Sequence, residues 1–487
     1  MVRWLPAVLL VFTVLIHLPT FDQPLVERHN FRQTQTAFTA RIYHEEGIDL
    51  FHPKLPVLGP PWEVPFEFPL FQAAASLVMD AGVAEDRSMR VTGFASFLLA
   101  AVLLWLLVRR QVGRVGAAIA LAVFTLSPLA IEWSRAALIE YLALAASLGF
   151  ALAGLRWRDQ RSRRWFAIAL LLGSIAALVK ITTALFWVAP FALLGLSRDD
   201  HAQTARSRMA AWALSLGPIL VGAMWTRYAD AIKAASSATA WLTSNALWAW
   251  NLGDLPQRLN PSAWERTLGS VLVLAGGIVV PLLIIPIIRF AMIRKQVRFV
   301  TWMAVTLGGP VLLFFNLYYQ HDYYAIAISA SVAVLVAVGL IGLAEMRSRF
   351  AHAALAGIVV ITVAVWVVNI PYWTRIYEPV SDPEGVLPLA AQIELETDPG
   401  QRVAIIGRDW QPSILYYANR WGWMLRGVDV PPSMLEQLVA DGYAVYRCPW
   451  LTEKDRCLRL DRSAEVLVPG ATIGPVTGRT GLLESGT

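Results

Sequence analysis

Hydrophobic residues run along this chain in long blocks divided by short polar connections. A helix rises about 1.5 Å per residue, so crossing roughly 30 Å of hydrocarbon takes about 20 apolar residues. Windows of that size fall at 4–20, 91–108, 115–131, 136–155, 165–179, 182–196, 209–226, 268–288, 299–317, 323–344 and 352–370. The apolar run 68–79 is too short to span and reads as a helix lying on the membrane surface. The first block follows Met1-Val-Arg3-Trp4, lacks a small-residue cleavage site, and is expected to stay as an anchor. The pattern predicts a polytopic α-helical membrane protein with about eleven transmembrane helices.

Two polar stretches interrupt this rhythm. Residues 21–90 hold His29-Asn-Phe-Arg32-Gln33-Thr-Gln-Thr-Ala37, a Pro-studded run from Pro53 to Pro65, and Phe66-Glu67-Phe68-Pro69-Leu70. Loops this long are uncommon and tend to carry sites, so this one is expected to form one wall of an active site. The second, 227–267, carries Trp241, Trp248, Trp250 and Trp264 and reads as amphipathic helices at the interface. After Pro371 the pattern turns globular, with helix-like 384–396, 412–420 and 432–441 alternating with strand-like 402–407, 422–425 and 443–446. That alternation predicts a small C-terminal α/β domain, 373–487, after a transmembrane domain, 1–372. No Gly-rich phosphate fingerprint opens its helices, so no nucleotide is assigned.

Composition agrees. Of 487 residues 56% are hydrophobic and only 16% charged, with mean hydropathy +0.52, whereas soluble domains carry about 25% charged residues. The net charge of +6 does not point to nucleic acid, because the arginines cluster in connections between apolar blocks. Those connections are 109–114, 156–164, 198–208, 294–298 and 345–350. The positive-inside bias puts them in the cytoplasm, and the two polar loops and the C-terminal domain outside. Counting 68–79 as a span would move the later basic loops to the wrong side. Cys448 and Cys457 both fall in the outer domain, where a disulfide is permitted and two free thiols are the alternative.

Arg32, Gln33, Glu67, Arg135, Glu140, Lys180, His321 and Asp322 all fall on the outer side by this topology. Singly each reads as an interfacial anchor or salt bridge; together at span ends they mark a functional site. Carboxylates can serve as general base, and several cations can hold a phosphate. An apolar bundle beside them can take a lipid tail. Lys180 sits in an expected hairpin, Lys180-Ile-Thr-Thr183, and Tyr323 and Tyr324 follow His321. His29, His44 and His52 match no helical ligand pair, so no cofactor is assigned and a divalent metal stays open.

These motifs resemble the bacterial members of the dolichyl-phosphate-mannose protein mannosyltransferase and aminoarabinose transferase group. The group lies within the C-type glycosyltransferase superfamily. Arg32-Gln33-Thr-Gln-Thr-Ala37 stands where the group has an acidic pair, and Gly59-Pro-Pro-Trp62 with Glu67-Phe-Pro69-Leu70 stands for its Gly-x-Pro and Lys-Pro-Pro-Leu-like motifs. Arg135 with Glu140 matches its Arg-and-acid signature, and His321-Asp-Tyr323-Tyr324 its late motif. Asp409, Pro412, Leu415-Tyr-Tyr417 and Arg420-Trp-Gly-Trp423 resemble the outer domain of bacterial relatives. The resemblance implies sugar transfer from a polyprenyl-phosphate donor to a lipid, glycan or protein acceptor, on the extracytoplasmic face of the bacterial inner membrane. Two departures stand out. Arg32-Gln33 replaces the acidic pair and Glu67 the lysine, which reads as an exchanged charge pair. Glu67 and then Glu140 are the expected catalytic carboxylates; Arg32, Gln33, Arg135, Lys180, His321, Tyr323 and Tyr324 are expected to bind substrate. The rival readings are a transporter or flippase of lipid-linked glycan and a non-catalytic partner that kept the fold.

Overall fold

Small and β-branched residues fill the helix that the rest of the bundle surrounds. In the computed structural model this helix, Ile326–Ala344, is buried on almost every side from Ile326 to Gly339. A helix apolar all round belongs inside a bundle. The structure describes residues 4–194, 204–346, 348–369, 371, 374–378, 382–425, 430–448 and 457–460. Parts of the basic connections 198–208 and 345–350, and the end of the expected outer domain, lie outside them.

The chain forms two compact units. The first comprises Met1–Gln23, Ala40–Pro53 and Val64–Pro379. Its helices are α1 (Leu5–His17), α2 (Asn30–Glu46, which starts in the other unit), α3 (Leu70–Asp80), α4 (Glu85–Gln111), α5 (Arg114–Leu126), α6 (Pro128–Trp133), α7 (Glu140–Gln160) and α8 (Arg163–Val188). After α9 (Phe191–Leu194) come α10 (Ala205–Ala234), the short α11 (Trp248–Leu252), α12 (Leu255–Leu259) and α13 (Pro261–Leu268), then α14 (Ile284–Ile293), α15 (Val297–Leu313), α16 (Phe315–Gln320), α17 (Ile326–Ala344) and α18 (Arg349–Val368). By length and composition, five stretches among the described residues are long and apolar enough to cross a membrane: Glu85–Gln111, Arg163–Leu193, Ala205–Ala234, Asp322–Ala344 and Arg349–Val368.

One of these five is two helices. Lys180 has φ −161° and ψ 95°, so α8 breaks there. A Cβ built on Gly173 would lie 2.9 Å from the Phe150 ring, and the Phe191 ring centroid is 5.4 Å from that of Phe150. Residues 173 and 191 would be about 27 Å apart on a straight helix. The chain therefore reverses at Lys180, as the expected hairpin requires.

Three expectations change. The polar stretch after the first span is not all loop: α2 gives it 17 helical residues. The apolar window 268–288 is broken, with a π-type turn at Gly269–Leu274, Gly276 at φ +76° and a 3-10 turn at Pro281–Leu283 before α14. Glycine accepts a positive φ and proline ends a helical run, so composition interrupts what hydropathy leaves continuous. The window 115–131 likewise splits into α5 and α6, where extended Ser127 caps α6 by accepting from the Ala130 N–H.

The second unit comprises Pro24–Thr39, Lys54–Glu63 and Val380–Thr487. Its four strands, β1 (Val403–Ile406), β2 (Gly422–Leu425), β3 (Ala444–Arg447) and β4 (Leu458–Arg459), lie in the order β2-β1-β3-β4. The first three run parallel and β4 antiparallel to β3. Leu435 and Leu438, from the helix Pro432–Ala440, pack with Ala404, Ile406 and Val445. The Pro-rich run covers the open edge of β2: the Gly422 and Met424 N–H groups donate to the carbonyls of Pro56 and Val57 at 3.0 and 2.8 Å, and the Gly59 N–H donates to Gly422 O at 3.1 Å. That pairing satisfies an edge otherwise open to other chains. Cys448 and Cys457 form a disulfide that joins the end of β3 to the start of β4.

Candidate active site

Glu140 opens α7, where the helix dipole favours an anion. Lys180, at the break in α8, donates from Nζ to Glu140 Oε1, and the two side chains are 4% and 1% exposed. Desolvating either charge alone is costly, and only a close partner offsets it. Glu140 Oε2 is buried with no hydrogen-bond partner among the described residues, so the carboxylate keeps one unused acceptor. The ammonium also lies 4.2 Å from the Tyr324 ring centroid and 5.7 Å from that of Tyr323. His321 stacks on both rings at 5.3 and 6.0 Å, with Trp250 6.3 Å from it and Trp133 6.2 Å from Tyr323. The structure thus brings together five of the expected residues: Glu140, Lys180, His321, Tyr323 and Tyr324. Asp322, between them, opens a 3-10 turn and is buried.

A helix break leaves carbonyls without their usual donors. Here the Phe68 N–H donates to Leu178 O at 3.0 Å. Trp225 Nε1, on α10, donates to Phe66 O at 3.0 Å, and the Phe68 ring meets the Trp225 indole edge-on at 4.8 Å. Lys233 stands 5.5 Å from the Phe66 ring centroid. Both neighbours of Glu67 are therefore held, one by the break in α8 and one by α10. Glu67 itself stays half-buried.

Arg135 lies between α6 and α7, 1% exposed, and its Nη1 donates to Thr20 O at 3.4 Å. Two residues absent from the sequence expectation fix this segment. His17 is buried at the end of α1, its Nδ1 2.7 Å from Thr13 O and its Nε2 2.9 Å from Ser134 Oγ and 3.1 Å from Ile131 O. On α4, a Cβ at Gly93 would come 2.3 Å from Ala136 O, so only glycine admits the Arg135–Ala136 backbone. A histidine inside an apolar block was the available signal for the first; the second had none.

Arg32 and Gln33 belong to the other unit, at the start of α2. Arg32 Nη1 donates to Gln35 Oε1 at 2.8 Å, and Gln33, fully buried, donates to Arg28 O at 3.1 Å. His44 pairs with Asp80 at 2.5 Å and His52 with Asp49 at 3.0 Å. Among the described residues no three His, Cys, Asp or Glu gather as a metal site.

A family model for dolichyl-phosphate-mannose-protein mannosyltransferase matches residues 63–225, the stretch that carries Glu67, Arg135, Glu140 and Lys180. ArnT from Cupriavidus metallidurans, solved bound to undecaprenyl phosphate, matches 91% of this chain and 93% of its own, with TM-score 0.60 and 15% identity. The chain shares the fold of that protein. The same fold is met in the Archaeoglobus fulgidus oligosaccharyltransferase solved with zinc and sulfate, at TM-score 0.57 and 12% identity over 91% of this chain and 68% of that one. It is met again in the arabinofuranosyltransferase AftD from mycobacteria, at TM-score 0.54 and 16% identity over 94% of this chain and 36% of that one. A sequence search of curated proteins returns no match. Alongside that shared fold stand the five described stretches that are long and apolar enough to cross a membrane.

Proposed function

We propose that this chain is a membrane glycosyltransferase that moves a sugar from a polyprenyl-phosphate donor to a lipid, glycan or protein acceptor on the extracytoplasmic face. The observation that carries the reading is the buried Lys180–Glu140 pair at a helix break, under Tyr323 and Tyr324, with the Glu67 segment docked into the same break. The ArnT match, to a protein bound to undecaprenyl phosphate, supports the donor class. In the proposed reaction the acceptor oxygen attacks the anomeric carbon and inverts it. The bond from that carbon to the phosphate oxygen breaks, and its electron pair stays on the phosphate. Glu67, the accessible carboxylate, takes the acceptor proton. Lys180, Arg135 and His321 offset the charge on the leaving phosphate, and Glu140 holds Lys180 in place. Arg32 and Gln33 are kept as donor-binding residues on the sequence alone. Eleven spans, supported by the reversal at Lys180, and the division at 372 and 373 belong to the same proposal.

The test is incubation of purified protein with a labelled polyprenyl-phosphate sugar and an extract of envelope acceptors. Wild-type protein is expected to move the label and Glu67→Gln to lose at least about a hundredfold in rate, the usual range for a general base. Transfer unchanged in Glu67→Gln would remove that residue from its role. A wild-type protein that neither moves nor releases the sugar leaves the transporter and the non-catalytic partner.

A further inference from the structure

The opposite end of the bundle carries a second constellation that the transfer reaction does not use. From Glu140 to the end of α7 is 21 residues, about 30 Å. There the connections α4–α5 and α7–α8 lie side by side, tied by an ion pair from Arg110 to Asp159. Residues 105–114 and 156–165 together hold eight arginines, three tryptophans and a single acid, Asp159, which Arg158 also engages at 3.0 Å. Most of this positive charge has no counter-charge in these two segments.

The arginines are arranged on indole rings. Arg156 lies 4.5 Å and Arg164 5.9 Å from the Trp165 ring, Arg109 5.0 Å from Trp105, and Arg161 5.2 Å from Trp157. A stacked guanidinium still has its in-plane N–H donors for an oxyanion, and stacking limits the freedom it loses on binding. Arg109, Arg156 and Arg164 make no hydrogen bond or ion pair among the described residues. Trp165 and Trp105 are each half-buried, which suits rings at headgroup depth.

We propose that this end of the bundle is a binding site for anionic phospholipid, its phosphate held by Arg156, Arg164 and Arg109 and its glycerol region packed on Trp165 and Trp105. A lone basic face would attract any polyanion diffusely. Cations set over indoles at the ends of apolar helices fit a charged headgroup whose tails continue along the same helices. The site is independent of the transfer reaction and stands or falls without it.

The test is native mass spectrometry of the full chain in detergent, with phosphatidylglycerol or phosphatidylcholine of identical acyl chains added. Phosphatidylglycerol is expected to be retained preferentially. Arg156→Gln with Arg164→Gln is expected to weaken that retention about thirtyfold, from two arginines facing one phosphate. Arg163→Gln with Arg164→Gln, both at exposed positions, is a second variant whose fold is not at risk, and it should lose part of the preference. Arg206→Gln with Arg208→Gln, at the start of α10, should leave it intact. Equal retention of the two lipids, wild-type retention in the first variant, or equal loss in the α10 control would each overturn the proposal.

Discussion

Lys180 is buried among tyrosine rings and meets the Glu140 carboxylate. Removing the lysine leaves the Glu140 carboxylate buried without its cation. Lys180→Met is therefore expected to destabilise the protein by about 3–5 kcal/mol, and Lys180→Met with Glu140→Gln to recover part of that. Thermal unfolding in detergent, read as a double-mutant cycle, checks both; additive effects would mean that the two charges do not interact. The double variant should still lack transfer, because the phosphate loses its ammonium. The sequence showed both residues as costly ions at span ends. It could not show them as partners, since 40 positions separate them and neither helix carries a spacing that points at the other. Arg408, fully buried just after β1, was invisible for the same reason. Burial pushes its guanidinium down from the usual value, while Glu384 and Asp382 draw it back up.

Elements succeed or fail here according to what hydropathy can see. The hairpin at Lys180 was legible because polar Lys-Ile-Thr-Thr interrupts an apolar block. The helix α2 was not, because Gln33, Thr34, Gln35 and Thr36 face the interior and offer no apolar period. The break after Gly276 hid inside a window whose mean is wholly apolar. Two substitutions test how elements hold the site. Trp225→Phe keeps a ring but removes the donor to Phe66 O, at about 1 kcal/mol. Faster hydrogen exchange at residues 66–68 is the expected result, and unchanged exchange would show that the indole does not hold the segment. Gly93→Ala forces a methyl against Ala136 O and is expected to cost about 1–3 kcal/mol. Transfer should fall with it, because Arg135 moves with that backbone; stability lost without any loss of transfer would free Arg135 from the site.

For the whole molecule the decisive quantity is which end of the bundle faces which compartment. The native cysteines are bonded to one another, so a new thiol reports alone. Ser162→Cys, between α7 and α8, should react with an impermeant maleimide only after the membrane is opened, and Ser262→Cys, on α13, in intact cells. Reaction of both from the same side would refute the proposed orientation. Class was readable from sequence because it depends on sums over long windows of apolar residues, and the proposed orientation rests on similar sums over arginines. The covering of the β2 edge by residues 56–59 depends on backbone groups hundreds of positions apart and leaves no mark on composition.

The reversal at Lys180 also governs parity. In the proposed topology every segment after it takes its side of the bilayer from the turn at that one residue. Leucine in its place would favour one uninterrupted rod from Arg163 onward, and the arginines of 294–298 and the tyrosines of 323–324 would each be asked to change compartments. In that topology the ion that meets Glu140 is also the punctuation that sets which way the later half of the protein faces.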